Sequence, residues 1–468
     1  MEGRSYKENY PIDNSIQYTS TKNFMIYGVL SVLTGALVIG VLVGFVVGLF
    51  MVLVEVMASF SAKGYAFMLS NPKFIPLGIV IVIILAFIMW LLIRKTPEAR
   101  GGGVPRAVEM SRGENKGRPF KIMYSYFLGA SISFLAGLNV GTEGPSVQLG
   151  AATGALASDV CHLKNKTYYI YSGIGAGFAS AFGTPFTGLI FALEEVRKKF
   201  NPLAIGALCL AIFGSMTSSQ IIYDLFNVHV DFFPIEQNAL IDPQYFYIFI
   251  ILGCICGIVS VFFQKSFIFI RKNINRSKLN MWPVLFGAFL TILFVSLAFT
   301  RKDGSTYFNG SGLGLVKYIF ANPNGTIETY TAIFVVLIRF ILCMLCFRSQ
   351  ATGGTMIPTL TIGALIGVLT GDMYLNAGLP DECFHLLVLC GMVAFFGSSI
   401  SAPLTAFFLV FETTGVRYLP YVILSLGIAF IITKLCGCGR HYEEIAKPEA
   451  LNPPEYIFLK FKKRWFHF

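Results

Sequence analysis

Long stretches of this chain carry no charge. Residues 23–54, 74–93, 202–223, 243–264 and 279–300 contain no Asp, Glu, Lys or Arg. About 20 apolar residues cross a bilayer core as a helix, so each stretch predicts a membrane-spanning helix. Polar residues gather between the stretches in short clusters. Glycine–proline pairs interrupt the apolar field at several further places.

Composition turns that pattern into a class. A chain of 468 residues could hold two or three soluble domains. Only 13% of the residues are charged, 55% are hydrophobic, and mean hydropathy is +0.68, whereas soluble domains run near a quarter charged. The expected fold is an all-α integral membrane domain, multi-pass in the lipid bilayer, over residues 23–445. A polar segment, 1–22, precedes it, and a short basic tail, 446–468, follows. The segment Met1 to Lys22 lacks the charged-then-apolar layout of a cleaved signal peptide.

The net charge of +11 does not form a nucleic-acid-binding face. Basic residues cluster between spans: Arg94, Lys95, Arg100, Arg106, Arg112, Lys116, Arg118 and Lys121, then Arg197 to Lys199, then Arg271, Lys272, Arg276 and Lys278. The tail adds Lys460, Lys462, Lys463 and Arg464, whereas 224–242 carries three Asp and one Glu with no basic residue. This positive-inside asymmetry puts the basic clusters and both termini in the cytoplasm, at the plasma (inner) membrane for a prokaryotic source. Nucleic acid is not an expected partner. The ten cysteines show no disulfide framework. Cys436, Cys438 and His441 form one short cluster, too few ligands for a tetrahedral zinc site, so neither a metal nor an organic cofactor is expected.

An internal repeat underlies the chain. An offset of 213 pairs Gly141 with Gly354, Thr142 with Thr355, Pro145 with Pro358, Gly150 with Gly363 and Asp159 with Asp372. Downstream, an offset of 218 pairs Gly173 with Gly391, Ser180 with Ser398, Pro185 with Pro403 and Glu194 with Glu412. Two related halves, about 23–225 and 243–435, follow. Transporters are often built from such halves with inverted topology and a binding site near the midplane.

Three breaks carry the candidate chemistry: Gly101-Gly102-Gly103-Val104-Pro105, Gly141-Thr142-Glu143-Gly144-Pro145, and Gly353-Gly354-Thr355-Met356-Ile357-Pro358. In each, glycine precedes a proline that suits the first turn of a helix. Irregular backbone at membrane depth survives only when buried in protein or lining a cavity. A helix N-terminus there offers unpaired N–H donors and partial positive charge, which suit a small anion. Turns at the water interface are the plainer alternative.

These motifs resemble, in order and spacing, the three selectivity-filter segments of the CLC chloride channel and transporter family: Gly-Ser-Gly-Ile-Pro, Gly-Lys/Arg-Glu-Gly-Pro and Gly-x-Phe-x-Pro. The resemblance extends from the first span to Tyr442. It implies a homodimer with one pathway per subunit, chloride bound near Gly102, Glu143, Thr355 and Met356, and exchange of chloride for protons. It also implies that the paired cytoplasmic regulatory domains of many eukaryotic members are absent, since 26 residues follow Tyr442.

Two acids stand out when set against the repeat. Glu143 lies between glycines in apolar sequence, where a carboxylate is costly and marks function; its mate, Met356, is not acidic. Ionised, Glu143 is a tethered rival for an anion position; protonated, it vacates that position. In the CLC family the matching glutamate is the external gate and proton acceptor. Glu194 is shared with Glu412 and reads as structural. Glu195 pairs with Thr413, is unshared, and aligns with the family's internal proton-transfer glutamate. A charged cluster at a span end is otherwise routine. Tyr442 has the position of the family tyrosine that reaches the central anion, or is an interfacial belt residue.

Three departures bear on selectivity. Gly102 replaces the family serine, Met356 the phenylalanine, and Thr142 the basic residue of the outer mouth. The backbone donors of Thr355 and Met356 do not depend on those side chains. A passive chloride channel and an exchanger with altered anion preference, nitrate or fluoride, remain as rivals. Five histidines, with no His-x-x-x-His pair and no Gly-x-Ser-x-Gly, leave little equipment for an enzyme.

Overall fold

The computed structural model describes residues 14–114, 117–163, 166–196, 202–228, 245–276, 281–299, 306–321, 327–375, 382–416 and 418–438. Eight helices make up the first half: α1 (Asn14–Ser70), α2 (Ile75–Lys95), α3 (Gly103–Ser111), α4 (Pro119–Leu135), α5 (Glu143–Val160), α6 (Lys166–Phe182), α7 (Pro185–Val196) and α8 (Pro202–Phe226). Eight more make up the second: α9 (Phe246–Arg276), α10 (Met281–Ala298), α11 (Leu313–Ala321), α12 (Thr329–Ser349), α13 (Met356–Leu375), α14 (Glu382–Ile400), α15 (Pro403–Thr414) and α16 (Leu419–Leu435). Every charge-free stretch lies within or largely within a helix, as its apolar length predicts. The first helix runs further than its charge-free core, through Glu55 and Lys63 to Ser70.

Helix burial sorts the elements into layers. On α2, Gly78, Val82, Ala86, Met89 and Ile93 form one buried stripe, while Leu77, Val80, Ile81, Ile84, Phe87 and Ile88 point outward. A helix apolar on all sides with only one face packed fits a lipid surround. In the most apolar window of α13, 83% of residues are buried, against 22% for α2. The inner helices therefore owe their apolar character to protein contacts, and the outer ones to lipid.

The two halves pack alike. In the first, α1 packs on α8 and α6, and α6 on α5; in the second, α9 packs on α16 and α14, and α14 on α13. Gly150 and Gly173 lie where an added β-carbon on either would strike the other's backbone carbonyl, and Gly363 and Gly391 repeat this one half on. Glycine is needed at these crossings because the helix backbones touch.

Where the halves meet, their relation is reciprocal. The Gly141 amide donates to the Gly354 carbonyl and the Gly354 amide to the Gly141 carbonyl, both at 2.8 Å, forming an isolated antiparallel bridge between repeat-related residues. Equivalent residues paired antiparallel are related by a local two-fold axis, so the halves pass each other in opposite directions. The same symmetry recurs at α7 and α15. Glu194, on the last turns of α7, accepts from the amides of Leu404 (3.2 Å) and Thr405 (2.8 Å) and from the Thr405 hydroxyl (2.7 Å). Glu412 accepts from the amides of Phe186 and Thr187, each at 2.6 Å, and from the Thr187 hydroxyl. Each carboxylate caps the other half's helix, where orphan N–H groups and the dipole favour negative charge. The structural reading of Glu194 has this physical basis.

Candidate functional site

All three breaks sit at helix N-termini and converge. Gly102 is the N-cap of α3, followed by Gly103, Val104 and Pro105 in the buried first turn. Thr142 is the N-cap of α5, followed by Glu143, Gly144 and Pro145. Gly354 and Thr355 immediately precede α13, which begins Met356-Ile357-Pro358. A β-carbon on Gly144 would lie 2.9 Å from the Gly103 amide nitrogen and 3.0 Å from the Gly354 Cα. Three chain segments far apart in sequence therefore touch through backbone, and only glycine permits that approach. The interface-turn alternative fails here, because the convergence is buried.

The surrounding scaffold is a set of long-range hydrogen bonds. The Gly101 amide donates to the Gln350 carbonyl at 3.0 Å. The Thr352 hydroxyl donates to the Ala99 carbonyl at 3.2 Å, and the Ser133 hydroxyl to the Thr352 carbonyl at 2.7 Å. Gly101 has φ +67° and Gln350, the C-cap of α12, has φ +59°, so left-handed backbone occurs at the start of the first break and just before the third. The segment before α13 is thus tied to both the α2–α3 connection and α4.

Glu143 occupies the centre of this convergence. Its side chain is 1% exposed, and Oε1 accepts the Met356 amide proton at 2.5 Å. Its other oxygen, Oε2, has no hydrogen-bond partner among the described residues. The carboxylate rests between Gly141 and Gly354: a β-carbon on Gly141 would come within 2.9 Å of Cδ, and one on Gly354 within 2.8 Å of Oε2. A carboxylate on a helix-start amide holds a position that a small anion could fill with the same donor. The Met356 amide, an expected anion donor, is thus occupied by the Glu143 carboxylate, and Gly102 and Thr355 line a neighbouring cavity of about 10 Å³. That is room for about one water-sized particle.

The other expected residues are placed less centrally. Glu195 lies near the end of α7, 9% exposed, on a different helix from Glu143. Tyr442, His441 and the Arg197–Lys199 cluster lie outside the described residues. Two features escaped the sequence reading. Thr187 and Thr405, also related by the 218 offset, supply hydroxyls to the reciprocal caps; extending the repeat alignment by two residues past Pro185 would have found them. Gln148, 0% exposed on α5, has no partner for either amide atom among the described residues, and no sequence signal separated it from helix packing.

A helical membrane protein whose interrupted helices meet around a buried carboxylate falls in the class of polytopic ion-transport proteins. The profile of the voltage-gated chloride channel family matches residues 85–434. The chain belongs to that family, the CLC proteins. It is 30% identical over 391 residues to the H(+)/Cl(−) exchange transporter ClcA of Vibrio campbellii, covering 79% of this chain and 80% of that one. It is 29% identical to the ClcA of Vibrio parahaemolyticus, covering 89% of each. The crystal structure of a slow cyanobacterial Cl−/H+ antiporter shares the fold with TM-score 0.79 at 22% identity, over 89% of this chain and 97% of that one. A CLC-type fluoride/proton antiporter superposes with TM-score 0.71 at 25% identity, over 87% and 96%.

Proposed function

We propose that this protein exchanges chloride for protons across a membrane as a homodimer, each subunit with its own pathway. The observation that carries this reading is the Glu143 carboxylate seated on the Met356 amide at the start of α13. The seat is built from backbone N–H donors at helix starts, Gly102, Thr355 and Met356 among them, and chloride takes it when the carboxylate leaves. Protonation of Glu143 removes the charge that competes with the anion, so proton uptake and anion entry are linked at one position. Glu195 passes the proton between this site and the cytoplasmic side. The names of the ClcA relatives and of the antiporter with the same fold support exchange over passive conduction.

The test is proton uptake into liposomes driven by a chloride gradient. Wild type is expected to move protons uphill. Glu143→Ala is expected to abolish proton movement while chloride flux persists, and Glu195→Gln to uncouple the two. A wild-type reversal potential that follows the chloride gradient alone, at every proton gradient, would instead make the protein a channel.

A further inference from the structure

A groove of about 450 Å³ runs down the outside of the first half, between α1 and α2. Its walls are apolar, with Met57, Phe60 and Met68 on α1 and Leu77, Ile81 and Leu85 on α2. Ala136, at the end of α4, and Leu293, on α10, are buried at its floor. The groove exists because α2 packs on α10 and only lightly on α1. The two spans, joined through residues 70–75, leave a wedge between them. Its two polar side chains are already engaged. The Ser61 hydroxyl donates to the Asn309 side-chain carbonyl at 3.2 Å, and the Tyr65 hydroxyl to the Ala136 carbonyl at 3.1 Å. No hydroxyl proton is left over for a polar ligand. Gly64 also lines the groove, and a β-carbon there would meet no atom within 4 Å.

The groove opens on a surface that faces lipid. Phe60, Phe67, Leu77 and Ile81 along its edges are exposed, and α1 and α2 are both long and apolar enough to cross a membrane. The α2 side of the lining extends from Phe74 to Leu85, about 16 Å at the helical rise per residue. One leaflet's share of the hydrocarbon core is about 15 Å. The two lengths match. The groove begins at a single 3₁₀ turn, Pro72–Phe74, at the opposite end of α2 from Arg94 and Lys95. Lys73 in that turn is exposed, and no ion pair joins it among the described residues.

We propose that this groove is a phospholipid site: one acyl chain lies between α1 and α2, and the lipid phosphate sits at Lys73. The lipid comes from the leaflet on the face away from Arg94 and Lys95. The inference goes beyond the exchange reading and does not depend on which ions the protein moves. Apolar transfer alone would not hold the chain, because bulk lipid tails are as apolar as the groove. Close packing along a fixed channel does so, since each methylene gains contacts on several sides. The ammonium adds attraction for an anionic headgroup at the interface.

The experiment places the full chain in liposomes with a phosphatidylglycerol that carries a diazirine on one acyl chain. After photolysis, labelled peptides are mapped by mass spectrometry. Label is expected on the groove residues of α1 and α2, in clear excess over the exposed outer faces of α9 and α12. Even labelling of all lipid-facing helices overturns the site, as does label that avoids the groove, the result if a second copy of the chain covered it. Gly64→Leu fills the groove and should remove the excess. Gly287→Leu, on α10 with equally open space at its β-carbon, should keep it. Lys73→Gln should lower capture about three-fold, as for one exposed ion pair; unchanged capture overturns the phosphate contact. In detergent, added phosphatidylglycerol should raise the Tm of wild type and not of Gly64→Leu, because a ligand stabilises the state that binds it. An equal rise in both, or the same rise from inorganic phosphate or from extra detergent alone, overturns the proposal. The wild-type label map decides the question even where Gly64→Leu fails to fold.

Discussion

Replacing Gly354 by alanine tests whether the position of the Glu143 carboxylate controls coupling. The new methyl would fall 2.8 Å from Oε2 and nearer still to Oε1, well inside contact distance. Backbone adjustment is resisted, because Gly354 is held to Gly141 by two reciprocal 2.8 Å hydrogen bonds. The carboxylate, at the end of a flexible side chain, is what must move, and it gives up the 2.5 Å bond from the Met356 amide. A hydrogen bond to a charged group contributes about 1.5–3 kcal/mol, and about 1.4 kcal/mol is a factor of ten. The seated fraction of Glu143 should therefore fall roughly ten- to a hundred-fold. Chloride efflux from liposomes should become nearly independent of pH, and chloride-driven proton uptake should fall to a small fraction of wild type. The double variant Gly354→Ala/Glu143→Ala should conduct like Glu143→Ala alone; slower flux would mean that the methyl itself blocks the path. Retention of the wild-type proton-to-chloride ratio in Gly354→Ala would refute the reasoning, because coupling would then not depend on that seat.

Other outcomes follow from the same geometry. Glu412→Ala and Glu194→Ala each strip a helix start of a carboxylate that accepts two amides and a hydroxyl. Each should lower stability by about 2 kcal/mol, read as a drop in Tm in detergent. The two losses should be similar and near additive, since the carboxylates cap different helices; one silent variant would contradict the reciprocity. Gly102→Ser should fold normally, because the nearest atoms to its β-carbon are the Gly353 carbonyl at 3.8 Å and Pro105 Cδ at 4.0 Å. The added hydroxyl should shift the chloride-to-nitrate flux ratio, measured with paired anion-selective electrodes, and an unchanged ratio would remove Gly102 from the anion path. Gly150→Leu should abolish folding, since its side chain would run into the Gly173 carbonyl; a well-folded variant by size-exclusion chromatography would show that the α5–α6 crossing can open.

Apolar run length alone gave the class of the molecule and most of its long helices, because a bilayer imposes a length and an internally satisfied backbone on any span. The repeat was equally legible: Gly141 with Gly354 and Glu194 with Glu412 are identities at fixed offsets, and glycine and proline at helix starts follow from local backbone chemistry. Only the tertiary structure decided what those residues meet. The offsets alone could not show that Gly141 pairs antiparallel with Gly354, or that Glu194 caps the opposite half, since nothing local along a chain specifies which distant amide a carboxylate will find. The Glu143 seat was likewise hidden: its donor, Met356, lies 213 positions away, and the space it fills exists because two glycines from different halves lack side chains. Local sequence sets where helices begin, and the packing of one half against the other sets what their open ends enclose.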